Sequence, residues 1–413
     1  MKKTEETVKS KYPMMLEIIG GTYYEYCADP HWDELFGSGL RAVNALSSHG
    51  RDLHFHTYAD KEVAAILKHF ANALEFTFTD YPVQKSVTFS YRHPLSNPSF
   101  APSDQLDVEM LMEVTTTNDL IVFGMVEGNA VVHGGRVVYD PQSPGNPLPF
   151  KHNGSTAKEL AIVLNLAEAE KITKTTGINN IAEQLMNSSD ASVVVLKMGA
   201  LGANVFTANN LNPYIVHPFI TDQVWPIGSG DIFTAIFGFE WLVNNAEPRI
   251  AAEKASLATA NYVNSRTLPI PELLNKSFKP FSKGRKIGTV YLAGPFFNMG
   301  ERWLIDEFYN HLINMDIDVF SPLHDVGYGE AEKVAAEDLR GLDDCQLVVA
   351  ILNGLDAGTL FEIGYAQAKN IPVLIFCENE KEVALTMMKG SGYRFFTDFT
   401  TLIYHTYWTL YKL

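Results

Sequence analysis

The apolar run Gln346-Leu347-Val348-Val349-Ala350-Ile351-Leu352 leads straight into Asn353-Gly354-Leu355-Asp356-Ala357-Gly358-Thr359-Leu360-Phe361-Glu362-Ile363-Gly364-Tyr365-Ala366. The first piece has the length and composition of a buried strand and ends in turn residues. In the second piece, Phe361, Ile363, Gly364, Tyr365 and Ala366 read as the first turns of a helix. Asp356 therefore falls in a strand-to-helix loop, and Glu362 falls near a helix N-terminus above the carboxyl end of a parallel strand. In open α/β sheets that crevice is where ligands bind. A carboxylate near a helix N-terminus is favoured electrostatically and is expected to stay ionised, which suits Glu362 as a nucleophile or a stabiliser of positive charge. Gly358 and Gly364 let a ligand approach the backbone. A purely structural alternative stands beside this: Asp356 caps the helix and Glu362 complements its dipole.

Two further segments bear on the choice. Lys286-Ile287-Gly288-Thr289-Val290-Tyr291-Leu292-Ala293-Gly294-Pro295-Phe296-Phe297 reads as a buried strand closed by a Gly-Pro turn. Glu337-Asp338-Leu339-Arg340-Gly341-Leu342-Asp343-Asp344-Cys345 reads as the end of a helix that feeds the strand at 346. With Asp-x-Gly-Thr-x-x-Glu-x-Gly-Tyr-Ala, these three motifs resemble, in order, the nucleoside 2-deoxyribosyltransferase family, which includes deoxynucleoside monophosphate N-glycosidases. The resemblance spans about residues 286–400. It implies glycosyl transfer or hydrolysis at an N-glycosidic bond, where positive charge builds on the anomeric carbon and a carboxylate below it stabilises that charge or bonds to it. By the same resemblance Glu362 is the nucleophile, Tyr291 orients it, and Asp338 lies near the base and leaving group. Asp356 holds a sugar hydroxyl, with Gly294 and Gly358 completing the substrate-binding set. No cofactor is implied for this part. Where the family places a polar Asn or Ser reaching into a neighbouring subunit's site, this chain has Leu385, followed by Thr386.

The chain has 413 residues, 46% hydrophobic, which is comfortable for two domains with real cores. A formal net charge of −16 argues against nucleic-acid backbone or anionic membrane as a main partner. Cys27, Cys345 and Cys377 are far apart and form neither a disulfide framework nor a zinc spacing. Met1–Lys11 is charged and has no apolar segment of the signal-peptide kind, and no apolar run reaches spanning length, so a cytoplasmic, membrane-free location is expected. The pair His54/His56 has no third ligand nearby, and no metal ligands are assigned.

Upstream, Met14–Gly21, Leu53–Tyr58, Asp119–Gly124, Arg136–Gln142, Val163–Asn165 and Ser192–Lys197 read as strands. They alternate with helical patterns at 36–46, 62–76, 156–162, 178–187 and 248–264, and residues 77–105 read as a loop-rich or lid segment. Such alternation predicts a doubly wound α/β structure. Trp225-Pro226-Ile227-Gly228-Ser229-Gly230-Asp231-Ile232-Phe233-Thr234-Ala235 is a Gly-rich turn opening an apolar helix, an arrangement that suits an anion; Asp231 is equally placed to be a simple cap. With Asn165-Leu166-Ala167-Glu168, Val138-Tyr139-Asp140-Pro141, Lys197-Met198-Gly199 and the Gly37-Ser38-Gly39 turn, this part resembles the ribokinase-like (PfkB-type) sugar kinases. The resemblance implies that Asp231 is the general base, that Gly228, Ser229 and Gly230 form the anion hole, and that Asn165 and Glu168 lie near magnesium and phosphates. Mg2+ and ATP are then the cofactors of this part if it is active. Against activity, Trp225-Pro226 stands where the family has Asp-Thr, Ile236 where it has a small residue, and Ala42 where it has Asn.

The expected fold class is thus α/β: a ribokinase-like doubly wound domain at 1–270, a Pro-containing basic linker at 271–286, and a smaller flavodoxin/Rossmann-like parallel-sheet domain at 287–413. The expected function is a two-module enzyme acting on a small nucleoside or nucleotide, assembled as a homo-oligomer. In the alternative, the kinase-like half is an inactive nucleotide sensor or scaffold that gates a nucleosidase depleting nucleotides or NAD.

Overall fold

The computed structural model describes residues 15–102, 111–143, 145–284 and 288–412. The polar segment 1–12, Met14, residues 103–105 and the positions Arg285, Lys286 and Ile287 lie outside the described residues. The chain divides into two compact units, Met1–Phe281 and Ser282–Leu413.

The first unit is built on a ten-stranded sheet. Its strands run in the order Asn210–Val216, Ala203–Thr207, Val193–Lys197, Thr156–Asn165, Ala130–Asp140, Asp119–Phe123, Leu16–Ile19, Leu53–Ala59 and Thr77–Pro82, with Met112–Thr115 paired beside Ala130–Asp140. Pairing is parallel from Thr77–Pro82 across to Val193–Lys197 and antiparallel at the Ala203–Thr207 and Asn210–Val216 edge. The central strands read Val/Ile/Leu nearly throughout because both faces are covered. On one face, Ile18, Ile121, Val138 and Val163 pack with Leu40, Ile232 and Ala255 from the helices Gly37–Leu46, Ser229–Gly238 and Pro248–Ser265. On the other, Val122, Val137, Ile162 and Leu196 pack with Ala169, Ile181 and Leu185 from Leu166–Thr173 and Ile178–Ser189.

Residues 156–162 are not helical: Thr156–Asn165 is one long strand. Its Lys-Glu-Leu-Ala segment has helical propensity, but parallel pairing with strands on both sides overrides it. The segment expected to be loop-rich contributes the edge strand Thr77–Pro82. It also supplies Thr88–Tyr91 and Ser99–Ala101, which join Tyr24–Cys27 and Trp32–Leu35 in a separate four-stranded sheet.

The second unit is a five-stranded, all-parallel sheet in the order Asp318–Phe320, Thr289–Ala293, Leu347–Ile351, Val373–Phe376, Arg394–Phe396. In chain order that is 2-1-3-4-5, the flavodoxin-like winding, and the strand order reverses between Thr289–Ala293 and Leu347–Ile351. Helices Ala331–Asp344 and Ala357–Ala368 bury Leu342, Ile363 and Ala366 on one face. On the other side, Phe308 of the helix Met299–Asn314 meets Phe376 and Phe399 edge-on at 5.2 and 4.5 Å. The aromatic C-terminal segment is the helix Phe399–Leu410, whose Phe399, Leu402, Ile403 and Tyr407 are buried. Among the described residues no helix is long and apolar enough to cross a membrane.

Candidate active site

The reversal point of the second sheet assembles the predicted residues. Tyr291 is the third residue of Thr289–Ala293; its side chain is fully buried and its ring stacks on Phe320 at 5.4 Å. Its hydroxyl donates to Glu362 Oε1 at 2.6 Å. Glu362 projects from the second turn of Ala357–Ala368, the helix that follows the neighbouring strand. Asp356 is that helix's N-cap: Oδ2 accepts from Thr359 N at 2.8 Å and Thr359 Oγ1 at 3.1 Å. The capping role weighed from the sequence is therefore present in the geometry. Asp338 comes from Ala331–Asp344, and its Oδ1 is buried with no hydrogen-bond partner.

The electrostatics differ from expectation at one point. Glu362 was expected to remain ionised, but burial pushes its carboxyl up to about 7, with Asp338 and Asp356 adding repulsion and the Tyr291 hydrogen bond opposing. The helix dipole is worth only about 0.3–1 kcal/mol at an exposed end, less than the cost of desolvating a carboxylate among other carboxyls. Burial also pushes Asp338 up, with Glu337 adding to it. The Tyr291 hydroxyl is raised by burial and then by Glu362, so it remains a donor. Two carboxyls both raised by burial, one of them against a fixed donor, can serve as nucleophile and acid.

The two glycines divide. A Cβ on Gly294 would come within 2.7 Å of Ile305 Cδ1 and 2.9 Å of Ile351 Cβ, so packing against the sheet requires this glycine. A Cβ on Gly358 would lie 3.0 Å from Asp356 Oδ2, so glycine here keeps the space beside that carboxylate clear. Leu385 is 4% exposed and belongs to the apolar core, so it offers no polar group to a substrate. The turn after Thr289–Ala293 also carries an aromatic rim that the sequence reading left unused. Phe296 stacks on exposed Phe297 and meets Tyr328 edge-on, and Arg302 Nε donates to the Phe296 carbonyl at 3.0 Å.

In the first unit, Asp231 lies in the first turn of Ser229–Gly238, with Gly228 (φ +77°) ahead of it. Each of its oxygens accepts a hydrogen bond. Arg41 Nη1 donates to Oδ2 at 2.6 Å and Gln142 Nε2 to Oδ1 at 2.5 Å. Arg41 is 1% exposed; its other arm pairs with Glu25, whose Oε1 also accepts from Gly37 N at 3.1 Å. The guanidinium packs so closely on the turn that a Cβ at Gly228 would lie 2.2 Å from Arg41 Nε. Lys197 Nζ donates to Asp140 Oδ2 at 2.5 Å and lies 3.4 Å from where a Cβ on Gly230 would be. Asn165 and Glu168 form a reciprocal capping box on Leu166–Thr173, and burial followed by Asp140 raises Glu168 to about 7. Trp225 is 2% exposed, tilted against Trp32 at 5.4 Å and covered by Arg266 at 4.1 Å.

Arg41, Gln142 and Glu25 were missed by sequence reasoning. The signal available was Arg41 itself, the one charge in the helix Gly37-Ser38-Gly39-Leu40-Arg41-Ala42-Val43-Asn44-Ala45-Leu46. A cation in a helix otherwise so apolar needs a buried partner. His54 and His56 are engaged elsewhere, His54 with Thr77 and Thr79 and His56 with Glu17 at 3.1 Å.

Both units thus have the class of a doubly wound α/β protein with polar residues gathered at strand ends. Comparison with known proteins narrows this: residues 136–268 match the family "pfkB family carbohydrate kinase", and residues 290–398 match "Nucleoside 2-deoxyribosyltransferase". The chain joins a ribokinase-like (PfkB-type) domain to a nucleoside 2-deoxyribosyltransferase-like domain, in that order. No curated protein matches it. Solved structures similar to it include a fructokinase from Vibrio cholerae O395 bound to fructose, ADP and calcium, at 15% identity, TM-score 0.47, over 61% of this chain and 94% of that one. A ribokinase from Thermotoga maritima is similar at 14% identity and TM-score 0.43, over 62% and 94%. A pyrophosphate-dependent kinase of the ribokinase family, complexed with a pyrophosphate analog and myo-inositol, is similar at 14% and 0.43, over 62% and 97%.

Proposed function

We propose that the C-terminal unit cleaves or transfers the N-glycosidic bond of a nucleoside or nucleotide, with Glu362 acting on the anomeric carbon. The observation that carries this is the 2.6 Å hydrogen bond from Tyr291 to Glu362 at the point where the sheet order reverses. The ionised Glu362 forms a bond to C1, or stabilises its positive charge, as the C–N bond breaks and its electron pair leaves with the base. Asp338, whose carboxyl burial pushes up, gives a proton to the departing base. Water or a second base then takes the glycosyl group and restores Glu362. Asp356 sits at the helix N-terminus on the sugar side and accepts a hydroxyl. Cys27, Cys345 and Cys377 are buried thiols not joined in disulfides, which suits a reducing cytoplasm. The test is incubation with a panel of nucleosides, nucleotides and NAD, read by chromatography: free base supports the reading, and none from any member rejects it.

For the N-terminal unit we infer a nucleotide-binding role without phosphoryl transfer. The donor side fits the group the family implies. The Gly228–Gly230 turn and Lys197 would take the phosphates of ATP, and Glu168 is the carboxylate that would hold Mg2+. The acceptor side does not fit. A general base must accept a proton from the incoming hydroxyl, and both oxygens of Asp231 already accept hydrogen bonds from Arg41 and Gln142. This favours the sensor or scaffold alternative over an active kinase. Binding of ATP without phosphate transfer to any sugar or nucleoside is the expected result; transfer that is lost in Asp231→Asn would reject it.

A further inference from the structure

The strands Leu347–Ile351 and Val373–Phe376 are parallel neighbours, so the loops at their carboxyl ends leave the sheet side by side. The first loop, 352–356, delivers Asp356 and the N-terminus of the helix that bears Glu362. Its backbone is unusual: Gly354 (φ +83°) and Leu355 (φ +51°) are consecutive left-handed residues, and leucine is disfavoured there. Such a conformation persists only when its surroundings over-determine it.

The second loop supplies the constraint. Asn353 Nδ2 donates to Glu378 Oε2 at 2.6 Å, and the Glu378 amide returns a bond to Asn353 Oδ1 at 3.0 Å. One residue on, Gly354 N donates to Glu380 Oε1 at 2.7 Å. Below them, Leu352 N bonds the Phe376 carbonyl at 2.8 Å, and Leu355 packs against the unit's apolar core. Two charged side chains from one loop thus grip the two residues that precede the left-handed Leu355, just where a small backbone rotation would swing Asp356 and the first turn of the helix. The bonds of both glutamates to Asn353 and Gly354 reach the chemistry through the turn.

We propose that Glu380 and the Asn353–Glu378 pair are positioning residues that fix Asp356, and with it the helix N-terminus, at the depth the sugar requires. This rests on the assignment of Asp356 to a sugar hydroxyl made above. The grip predicts a selective defect in substrate binding, because Tyr291 is held by the sheet and Glu362 by the helix's second turn, where Ile363 and Ala366 are packed in the core.

The experiment is steady-state base release by the full chain from a mixture of the common 2′-deoxynucleosides and ribonucleosides. The variants are Glu380→Ala, Glu380→Gln, Asn353→Ala, Asp356→Ala and the double variant Glu380→Ala/Asp356→Ala, each checked for its unfolding temperature. Glu380→Ala and Asn353→Ala are expected to raise KM about tenfold with kcat within about threefold of the parent. Glu380→Gln, which keeps an acceptor for Gly354 N, should be close to the parent. Once Asp356 is gone, adding Glu380→Ala should change KM less than about twofold. Additive effects in the double variant, a Gln variant as impaired as Ala, or an unaltered KM in Glu380→Ala would overturn the proposal while leaving the reading of Asp356 intact. An unaltered KM in Asp356→Ala, or no base release by the parent, would remove that reading and the proposal with it.

Discussion

Tyr291 and Glu362, 71 residues apart in the chain, meet through a 2.6 Å hydrogen bond because neighbouring parallel strands place one in the sheet and the other on the helix above it. The bond fixes the carboxylate's orientation and stabilises its charged form against the burial that pushes it up to about 7. Most of the site's chemistry follows from that opposition.

Tyr291→Phe removes the donor and leaves the apolar ring stacked on Phe320. A hydrogen bond to a charged group is worth about 1.5–3 kcal/mol, so kcat/KM should fall about 10- to 150-fold with little change in unfolding temperature. The acidic limb of the pH–rate profile should move upward, because the lost bond was what held Glu362 down. A limb that stays in place would show that the two groups do not communicate.

The parent profile should be bell-shaped. Activity rises as Glu362 ionises, near 7 in the free enzyme, and falls where the group that protonates the base loses its proton. Stability should trend differently. Glu362 holds its proton more tightly folded than unfolded, so its contribution is complete below its ordinary value of 4.5 and is lost as pH rises through about 7. Thermal unfolding of the parent and of Glu362→Gln across pH 4–8 checks this, since the variant should lack that slope.

Asp338→Asn keeps the side chain's shape and removes the proton donor. Base release should fall about 10²- to 10⁴-fold for substrates whose base needs protonation. The acidic limb, which reports Glu362, should stay in place while the basic limb disappears, unlike the movement in Tyr291→Phe. Equal losses with the basic limb unchanged would assign Asp338 a packing role.

Arg41→Met leaves Glu25 and Asp231 buried without their shared cation. Breaking one partner of a buried ion pair costs about 3–5 kcal/mol, so the unfolding midpoint of the N-terminal unit should drop clearly in denaturant. If Asp231 were instead a free catalytic base, Arg41→Met would be nearly neutral for stability, and phosphoryl transfer to a sugar or nucleoside would be measurable in the parent.

The winding of both sheets was legible because the strands are apolar on both faces and punctuated by Gly, Pro and Asp. The C-terminal site was legible because its three motifs each sit at a strand end or on the helix beside it. The helix expected at 156–162 was lost to sheet pairing, which a local pattern cannot register. The ionisation of Glu362 was misjudged because the helix dipole can be read from the sequence whereas desolvation and the proximity of Asp338 cannot. The partners of Asp231 were invisible for a similar reason: Arg41 lies 190 residues away and Gln142 lies 89 away, and only the fold brings them together.

The most direct measurement is base release by Glu362→Gln beside the parent, on the same substrate panel and read by chromatography. The glutamine keeps a hydrogen-bond acceptor for Tyr291 but cannot attack C1 or carry a charge beneath it. Release should fall at least about 10³-fold while the unfolding temperature holds or rises. Base release within a few-fold of the parent would contradict the assignment of Glu362 and, with it, the glycosidic function of the C-terminal unit.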